Sequence, residues 1–321
     1  MKHPSPSERP WLSVAMPVHC GERWLGATLG SVAAQDCTGV ELLILDSSPN
    51  DGCTKIVRSF ADRLDIRYEH APAVTSWTAK TNIAVGRARS PHVCILHQDD
   101  LWLPDRLGAM REAIATFPKA ALLLNPSHIV DEGGRRLGLW RCPLPHDRML
   151  RAAEVIEVLL IQNFVAMPAP VIRRAAWLSV GGMDEGLWYT ADWDLYLKLA
   201  RAGATVYRPR PTTAFRVHGA SLTVSGSRDR HDFEAQLKTV VERHIGEVPA
   251  ERRPQVRRRA MTSIAVNCEL AQAATGSPAA LLRACATILL LGPAETFRYL
   301  RDSRIVERAL PRFRARLAGS F

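Results

Sequence analysis

No apolar run in this chain is long enough to cross a bilayer. The longest in its later part, Ala284–Leu291, falls well short of the ~20 residues a spanning helix needs. The first ten residues, MKHPSPSERP, lack the apolar centre of a signal peptide and read as a flexible leader. The seven cysteines are odd in number and never form C-x-x-C. That argues against a disulfide scaffold or a zinc site, and it favours a reducing compartment. No internal repeat is present. The expectation is a cytoplasmic protein whose membrane contact, if any, is peripheral and at the inner face.

Lysine is scarce, so the formal net charge of +10 is carried mostly by arginine. Such an excess suits an anionic partner: a phosphorylated substrate, nucleic acid or an acidic membrane surface. Much of it lies after Glu242, in Arg252-Arg253, Arg257-Arg258-Arg259 and the series Arg298–Arg316. A nucleic-acid partner is not expected, because no recognisable module interleaves aromatic with basic residues. With 321 residues and 47% hydrophobic content, the chain can fill one large or two modest domains.

Apolar strand-like runs alternate with helical patterns. Trp11–Pro17, Glu41–Leu45, Ile66–Glu69, Val93–Leu96 and Ala120–Leu124 read as strands, with helices through Ala34, over Lys55–Leu64, near Thr78–Arg89 and over Arg106–Phe117. Near-continuous apolar strands with short connections imply an α/β fold, with a doubly wound, mostly parallel, Rossmann-like sheet covered on both faces. Ile129–Leu137 reads as a hairpin. Asn163–Ile172, broken by two prolines, reads as an edge strand or an irregular connection. The sheet domain is expected over 11–240, followed by a basic helical C-terminal extension over 241–321.

The chain is organised around VCILHQDDLWLPDR, Val93–Arg106. A buried strand ends abruptly in His97, Gln98, Asp99 and Asp100, and Pro104 can open the next helix. In an open α/β sheet ligands sit at that end of the strands. Two carboxylates and an imidazole there suit a hard divalent cation carrying a diphosphate. The bland reading of the same residues is a polar strand end followed by a helix cap.

A second dense stretch, Val180–Gly203, opens a helix at Asp192, with Leu195, Leu199 and Ala202 on one face and Gly203 at its stop. The bland reading of Asp192 and Asp194 is that acidic residues in a first turn stabilise the helix's positive end, by ~0.3–1 kcal/mol. Thr205–Tyr207 and Thr213–Val217 read as strands, the latter leading into His218 and a Gly/Ser-rich loop. Further on, a helix over Glu295–Leu310 would carry Arg301, Arg304 and Arg308 on one face and Tyr299, Val306 and Leu310 opposite. Such a pattern implies docking on its own domain, or a basic face lying on anionic lipid.

Six segments in order, PVHCGERWLGATLGSV, LILDSSPNDGCT, TNIAV, HQDDLWLPDRL, GGMDEGLWYTADWDLYLKL and FRVHGASLT, together resemble the family 2 glycosyltransferases of the GT-A fold. The resemblance runs from about Leu12 to Thr223. It implies transfer of a sugar, with inversion, from a nucleoside-diphosphate donor (a UDP-, GDP- or dTDP-sugar) to a hydroxyl of a glycan or lipid-linked acceptor, in polysaccharide or glycolipid synthesis. It further implies that Pro17, Val18, His19, Glu22 and Asp46 hold the nucleoside and that Lys80 and Asn82 lie near the donor. Asp99 with Asp100 would hold ribose and a Mn²⁺ or Mg²⁺ ion, with His97 and His218 as further metal ligands. Arg216, His218 and Arg228 would touch the diphosphate, and the loop over 219–227 would close as a lid. Asp192 would be the catalytic base. Trp188 and Asp194 would border the acceptor, with Asp194 also reading as a structural partner and Trp102 as either a platform or core. Two positions depart from the family pattern: His97 stands where an Asp is usual, and His19 where an aromatic is common. A decayed metal site would leave the alternative, a non-catalytic nucleotide-sugar-binding protein.

Overall fold

The computed structural model describes residues 9–219, 221, 229–274 and 276–317. Strands β1 (Leu12–Val18), β2 (Val40–Asp46), β3 (Asp65–His70) and β4 (His92–Ile95) alternate with helices α1 (Leu25–Ala33), α2 (Gly52–Arg58) and α3 (Trp77–Arg87). A two-residue strand β5 (Leu101–Trp102) precedes α4 (Arg106–Thr116), followed by β6 (Leu122–Leu124), β7 (Ser127–Val130), β8 (Arg136–Trp140), β9 (Met149–Leu150) and α5 (Ala152–Ile161). Then come β10 (Val171–Arg173), α6 (Arg174–Ser179), α7 (Ala191–Ala202), β11 (Thr205–Tyr207) and β12 (Thr213–Arg216). The rest is helical: α8 (Arg230–His244), α9 (Arg253–Ala274), α10 (Pro278–Leu289), α11 (Pro293–Ser303) and α12 (Ile305–Leu317).

Eight strands form one sheet in the order β3-β2-β1-β4-β10-β6-β11-β9. Strands β3, β2, β1 and β4 are mutually parallel, and every residue of β1 and β2 is buried because helices cover both faces. Of the segment read as an edge strand or an irregular connection, residues 163–170 are an irregular connection, and its end enters β10, which runs antiparallel to both β4 and β6 in the middle of the sheet and not at an edge. The prolines precede the strand, so its ladder hydrogen bonds are intact. A second sheet, β5-β12-β7-β8, was not foreseen; it contains the expected hairpin as the antiparallel pair β7/β8.

Gly203 does close α7, but its backbone is extended, not left-handed. An added Cβ would lie 2.7 Å from the Cβ of Ala121, so close packing explains the glycine.

The expected domain boundary at 240 falls inside α8. Phe233, Leu237, Val240 and Val241 of that helix, with Val256, Ala260 and Ile264 of α9, share one buried cluster with the sheet domain. The helix read over Glu295–Leu310 is two helices. Arg304 adopts φ 50 between them, which resets the helical phase. Beyond the break Arg308 is buried, while Val306 and Leu310 are 56% and 46% exposed, the reverse of the sequence reading. Helix α12 returns across the small sheet. An added Cβ on Gly138 would sit 2.6 Å from Cγ of Pro311, and Ala315 packs with Ile129, Trp140 and Val217.

Candidate active site

The carboxyl ends of β1, β2 and β4 converge. Lys80, buried on α3, donates from Nζ to the Val18 carbonyl oxygen at 2.6 Å and to Ser47 Oγ at 2.9 Å, joining the ends of β1 and β2. Burial pushes its ammonium down to about 8, so it stays charged at neutral pH. His19 is exposed beside it, with Nδ1 3.1 Å from the Ser47 carbonyl oxygen, and its backbone exchanges hydrogen bonds with the Gln98 amide. Pro17 is buried within β1, and Glu22 lies over Gly52 at the start of α2. Asp46 is fully buried, and both of its carboxylate oxygens are taken: Oδ1 by Ser48, Oδ2 by the Tyr68 hydroxyl at 2.8 Å. It shapes the Ser47-Ser48 loop and presents no oxygen of its own.

At the end of β4, the ligand atoms of His97, Asp99 and Asp100 lie within 4.8 Å of one another. Nε2 of His218 donates to Asp99 Oδ2 at 2.8 Å, and the same ring rests 4.0 Å from the centroid of Trp24. His218 therefore backs Asp99 and is not a member of the cluster, contrary to the expectation of a direct ligand. Asp100 accepts the Arg216 backbone N–H at 2.9 Å on Oδ1, while its buried Oδ2 has no partner among the described residues. Burial, then the neighbouring Asp99 charge, pushes the Asp100 carboxyl well up. Asp99 is held low against its own burial, chiefly by the His218 hydrogen bond. Burial also lowers His97, keeping its imidazole in the neutral form that ligates metals. An orphaned imidazole nitrogen and an orphaned carboxylate oxygen in one cluster fit a divalent cation.

Arg216 does not present its guanidinium to the cluster. Its Nε donates to the Asp99 carbonyl oxygen and its Nη1 to those of Asp131 and Glu132, tying the β7–β8 turn to the strand end. Arg228 and most of the Gly/Ser loop lie outside the described residues.

Asp192 opens α7. Its Oδ2 accepts from Asn163 Nδ2 at 2.9 Å and its Oδ1 from the Trp193 backbone N–H at 2.8 Å. Burial outweighs these hydrogen bonds and raises its carboxyl to about 6, a value suited to proton transfer near neutrality. Trp188, four residues earlier, is partly buried and donates from Nε1 to Asp232 at 2.6 Å. Its carbonyl oxygen accepts from the indole of Trp77, whose ring meets His97 edge-on at 5.3 Å. Asn82, expected near the donor, instead clamps the loop ahead of α7, with Oδ1 on the Met183 N–H and Nδ2 on the Met183 carbonyl and Glu185. Asp194, read both as an acceptor contact and as a structural partner, is the latter: it is fully buried and bound by Lys198, Arg243 and His244 at 2.8–2.9 Å. It holds α8 to α7 and cannot meet a ligand. Trp102 belongs to the core.

Several partners carried no local signal in the sequence. Asn163 meets Asp192 from 29 residues away. Gln98 and Trp24 lie inside quoted motifs, yet only the folded chain shows what they touch. Arg308 and Arg312 stack on Trp140, at 5.0 and 5.3 Å from its centroid. Arg308 is buried next to Tyr189 and close enough to Asp192 to draw its carboxyl down. Its Nε and Nη1 have no partner among the described residues. A desolvated cation–π contact contributes about 2 kcal/mol, whereas burying an ion costs several kcal/mol. Stacking alone does not offset this pair.

Sheet order, strand-end acidic cluster and helix-opening aspartate define a GT-A glycosyltransferase. The glycosyl transferase family 2 model matches residues 13–173, half of the chain, and the chain belongs to that family. Among curated relatives, an uncharacterized glycosyltransferase of Rickettsia typhi is 20% identical over 228 residues, covering 70% of each chain. The O-antigen biosynthesis protein RfbC of Myxococcus xanthus is 29% identical over 203 residues, 62% of this chain but 15% of that one. The fold is shared with S. aureus TarS in complex with UDP-GlcNAc (TM-score 0.66, 15% identity, 97% of this chain and 92% of that one). It is also shared with the mannosyltransferase PcManGT of Pyrobaculum calidifontis in complex with GDP-Man and Mn²⁺ (TM-score 0.57, 18% identity, 95% and 89%).

Proposed function

We propose that this glycosyltransferase moves a sugar from a nucleoside-diphosphate donor to an acceptor hydroxyl with inversion, and that Asp192 is the base. The observation that carries the reading is Asp192 itself: a carboxyl raised to about 6, aimed by Asn163 and the Trp193 N–H, and linked through Trp188 and Trp77 to the His97 cluster. The acceptor oxygen attacks the anomeric carbon from the face opposite the diphosphate. Its proton passes to Asp192 as the new bond forms, and the bond to the diphosphate oxygen breaks. Lys80 sets the strand ends on which the nucleoside rests, and His19 stacks on or borders its base. A Mn²⁺ or Mg²⁺ ion held by His97, Asp99 and Asp100 would supply charge neutralisation for the departing diphosphate.

A UDP-, GDP- or dTDP-sugar is the proposed donor class. UDP-GlcNAc and GDP-Man in the fold neighbours support a nucleotide sugar, and the Mn²⁺ reported with PcManGT supports a divalent ion. A glycan or lipid-linked acceptor, in polysaccharide or glycolipid synthesis, is supported by the relative named for O-antigen biosynthesis. We further propose a cytoplasmic protein peripheral at the inner face of the membrane. In support, all seven cysteines are free. Among the described residues no single helix is long and apolar enough to cross a membrane; α10 and α11 meet that test only as a pair bent by 114°. Leu282, Leu289, Leu290 and Phe297 on and beside that pair are 69–81% exposed.

Titration of UDP, GDP and dTDP, each with Mn²⁺ and with chelator, tests the donor assignment. Selective binding of one nucleotide, strengthened by Mn²⁺, is expected. Failure of all three to bind would overturn it.

A further inference from the structure

We propose that Arg308 and Arg312 form an anion subsite beside the base, built to hold a phosphate group carried by the acceptor. The proposal rests on reading Asp192 as the base of a glycosyl transfer.

Arg308 is more than nine-tenths buried, and its Nε and Nη1 have no partner among the described residues. Arg312 stacks on the same indole and also lies 6.0 Å from the centroid of Phe215; its Nη1 donates to the Arg308 carbonyl oxygen at 2.9 Å. No carboxylate is paired to either guanidinium among the described residues. The nearby Glu307 is committed to Arg141 and Arg304. Two adjacent cations, one of them buried, repel each other, and the nearby Asp192 carboxylate, already held by Asn163 and the Trp193 N–H, makes no ion pair with either. Arg106, also buried, leaves only Nε without a partner among the described residues: Nη1 donates to Thr212 Oγ1 and Nη2 to the Ala169 carbonyl oxygen, both at 2.6 Å. Arg308 has no such arrangement. A phosphate supplies both the charge and a pair of acceptor oxygens that the planar guanidinium fork can engage together.

Position separates this subsite from the donor diphosphate. Side chains alternate along a strand, so Phe215 and Val217 face one way from β12 while Arg216 and His218 face the other. Arg216 and His218 touch Asp99. Phe215 packs edge-on against Trp140, the ring beneath both arginines, and Val217 lies in the cluster that contains Ala315 of α12. The arginines therefore occupy the opposite side of β12 from the acidic cluster, while Trp140 beneath them packs with Ala166, on the same segment as the Asn163 that holds Asp192. A phosphate bound there belongs to the partner that Asp192 deprotonates, not to the donor.

Calorimetric titration of the full chain, with and without a saturating nucleoside diphosphate and Mn²⁺, tests the subsite. The probes are glycerol 3-phosphate, glycerol as the neutral control, and dihexanoylphosphatidic acid. One saturable glycerol 3-phosphate site is expected, present in both conditions and absent for glycerol. Arg308→Gln and Arg312→Gln should each weaken it by about tenfold or more, Arg308→Lys by less, with nucleotide affinity unchanged. Arg312 is less buried, so its variant serves if Arg308→Gln does not fold. Equal affinity for the two phosphates would assign recognition to the phosphate alone; tighter binding of the lipid probe would assign it to a lipid headgroup. The subsite is overturned if glycerol 3-phosphate does not bind, or binds both glutamine variants as well as the parent. Nucleotide binding without phosphate binding would leave the transfer reading standing, and the reverse would leave only the subsite.

Discussion

The indole N–H of Trp77 donates to the carbonyl oxygen of Trp188 at 2.7 Å, across 111 residues of sequence. Through its other contact, the edge-on packing against His97, Trp77 joins the acidic strand end to the loop that delivers Asp192. Trp77→Phe keeps an aromatic ring, though a smaller one, and removes the donor, leaving a partly buried carbonyl unpaired at a cost of about 1–3 kcal/mol. The expected result is a loss of turnover of about tenfold with nucleotide affinity nearly unchanged. Steady-state kinetics alongside nucleotide titration checks it, and an equal loss in both would assign Trp77 to the donor site.

Asp192 must be ionised to accept a proton, and burial raises its carboxyl to about 6. The rate should therefore rise with pH through about 6 and level off above it, a higher acid limb than an exposed aspartate, near 3.9, would give. Asp192→Asn should lower turnover by about 10²–10⁴ while nucleotide binding holds within a few fold. A pH–rate profile of kcat/KM is the measurement. Full activity in the asparagine variant would remove Asp192 from the chemistry.

Much of this arrangement was legible in the chain before folding. The strands β1 and β2 announce themselves as continuous apolar runs because both faces of the sheet are covered. The acidic strand end and the aspartate opening α7 are local patterns, readable from adjacent residues. What was not legible depends on distant partners or a single dihedral angle. A three-residue strand such as β10 has too little periodicity to reveal that it sits in the sheet centre. The left-handed residue Arg304 shifts the helical phase, so the periodicity that assigned Arg308 to a solvent face fails there. Asp46 looks like a ligand-facing carboxylate until Ser48 and Tyr68 are seen to consume it, whereas the structural role open to Asp194 gains its partners, Lys198, Arg243 and His244, only in the fold.

Asp99 is the carboxylate kept low in the cluster, chiefly by His218, so its contribution to donor binding should pass through the cation. Asp99→Ala is expected to weaken nucleotide binding when Mn²⁺ is present and to change it little in chelator. Titration in the two conditions reads this directly. The same loss in both would deny Asp99 a metal role.

Asp194 contributes stability and no chemistry. Hydrogen bonds and charge from His244, Lys198 and Arg243 outweigh its burial and hold its carboxyl well below the ordinary range. A group depressed on folding stabilises above its unfolded value, near 3.9, and that stabilisation is lost as pH falls through the folded value. Asp194→Asn takes the shared charge away from Lys198, Arg243 and His244, and because Lys198 and Arg243 reach solvent a loss of roughly 1–3 kcal/mol is expected at neutral pH. Denaturant titrations should show the gap between parent and variant closing in acid. Undiminished stability at pH 7 would contradict the assignment.

The exposed leucines at the bend between α10 and α11 offer the most direct test of peripheral membrane contact. Leu289 and Leu290 are 69% and 81% exposed, and from residue 253 onward the chain carries twelve arginines against four acidic side chains. Apolar side chains that enter the headgroup boundary and basic ones that meet anionic lipid act together on an interfacial helix. Burying one leucine contributes about 1.5–3 kcal/mol, so replacing both with aspartate should lower partitioning onto anionic vesicles by well over tenfold. Because the bend lies far in sequence from Lys80 and Asp99, nucleotide affinity should not change. Co-sedimentation with vesicles of anionic and of neutral phospholipid provides the measurement: binding to the anionic vesicles alone, lost in the double variant, is the expected pattern. Binding to neither, or binding that survives the substitutions, would leave the exposed leucines without a membrane role.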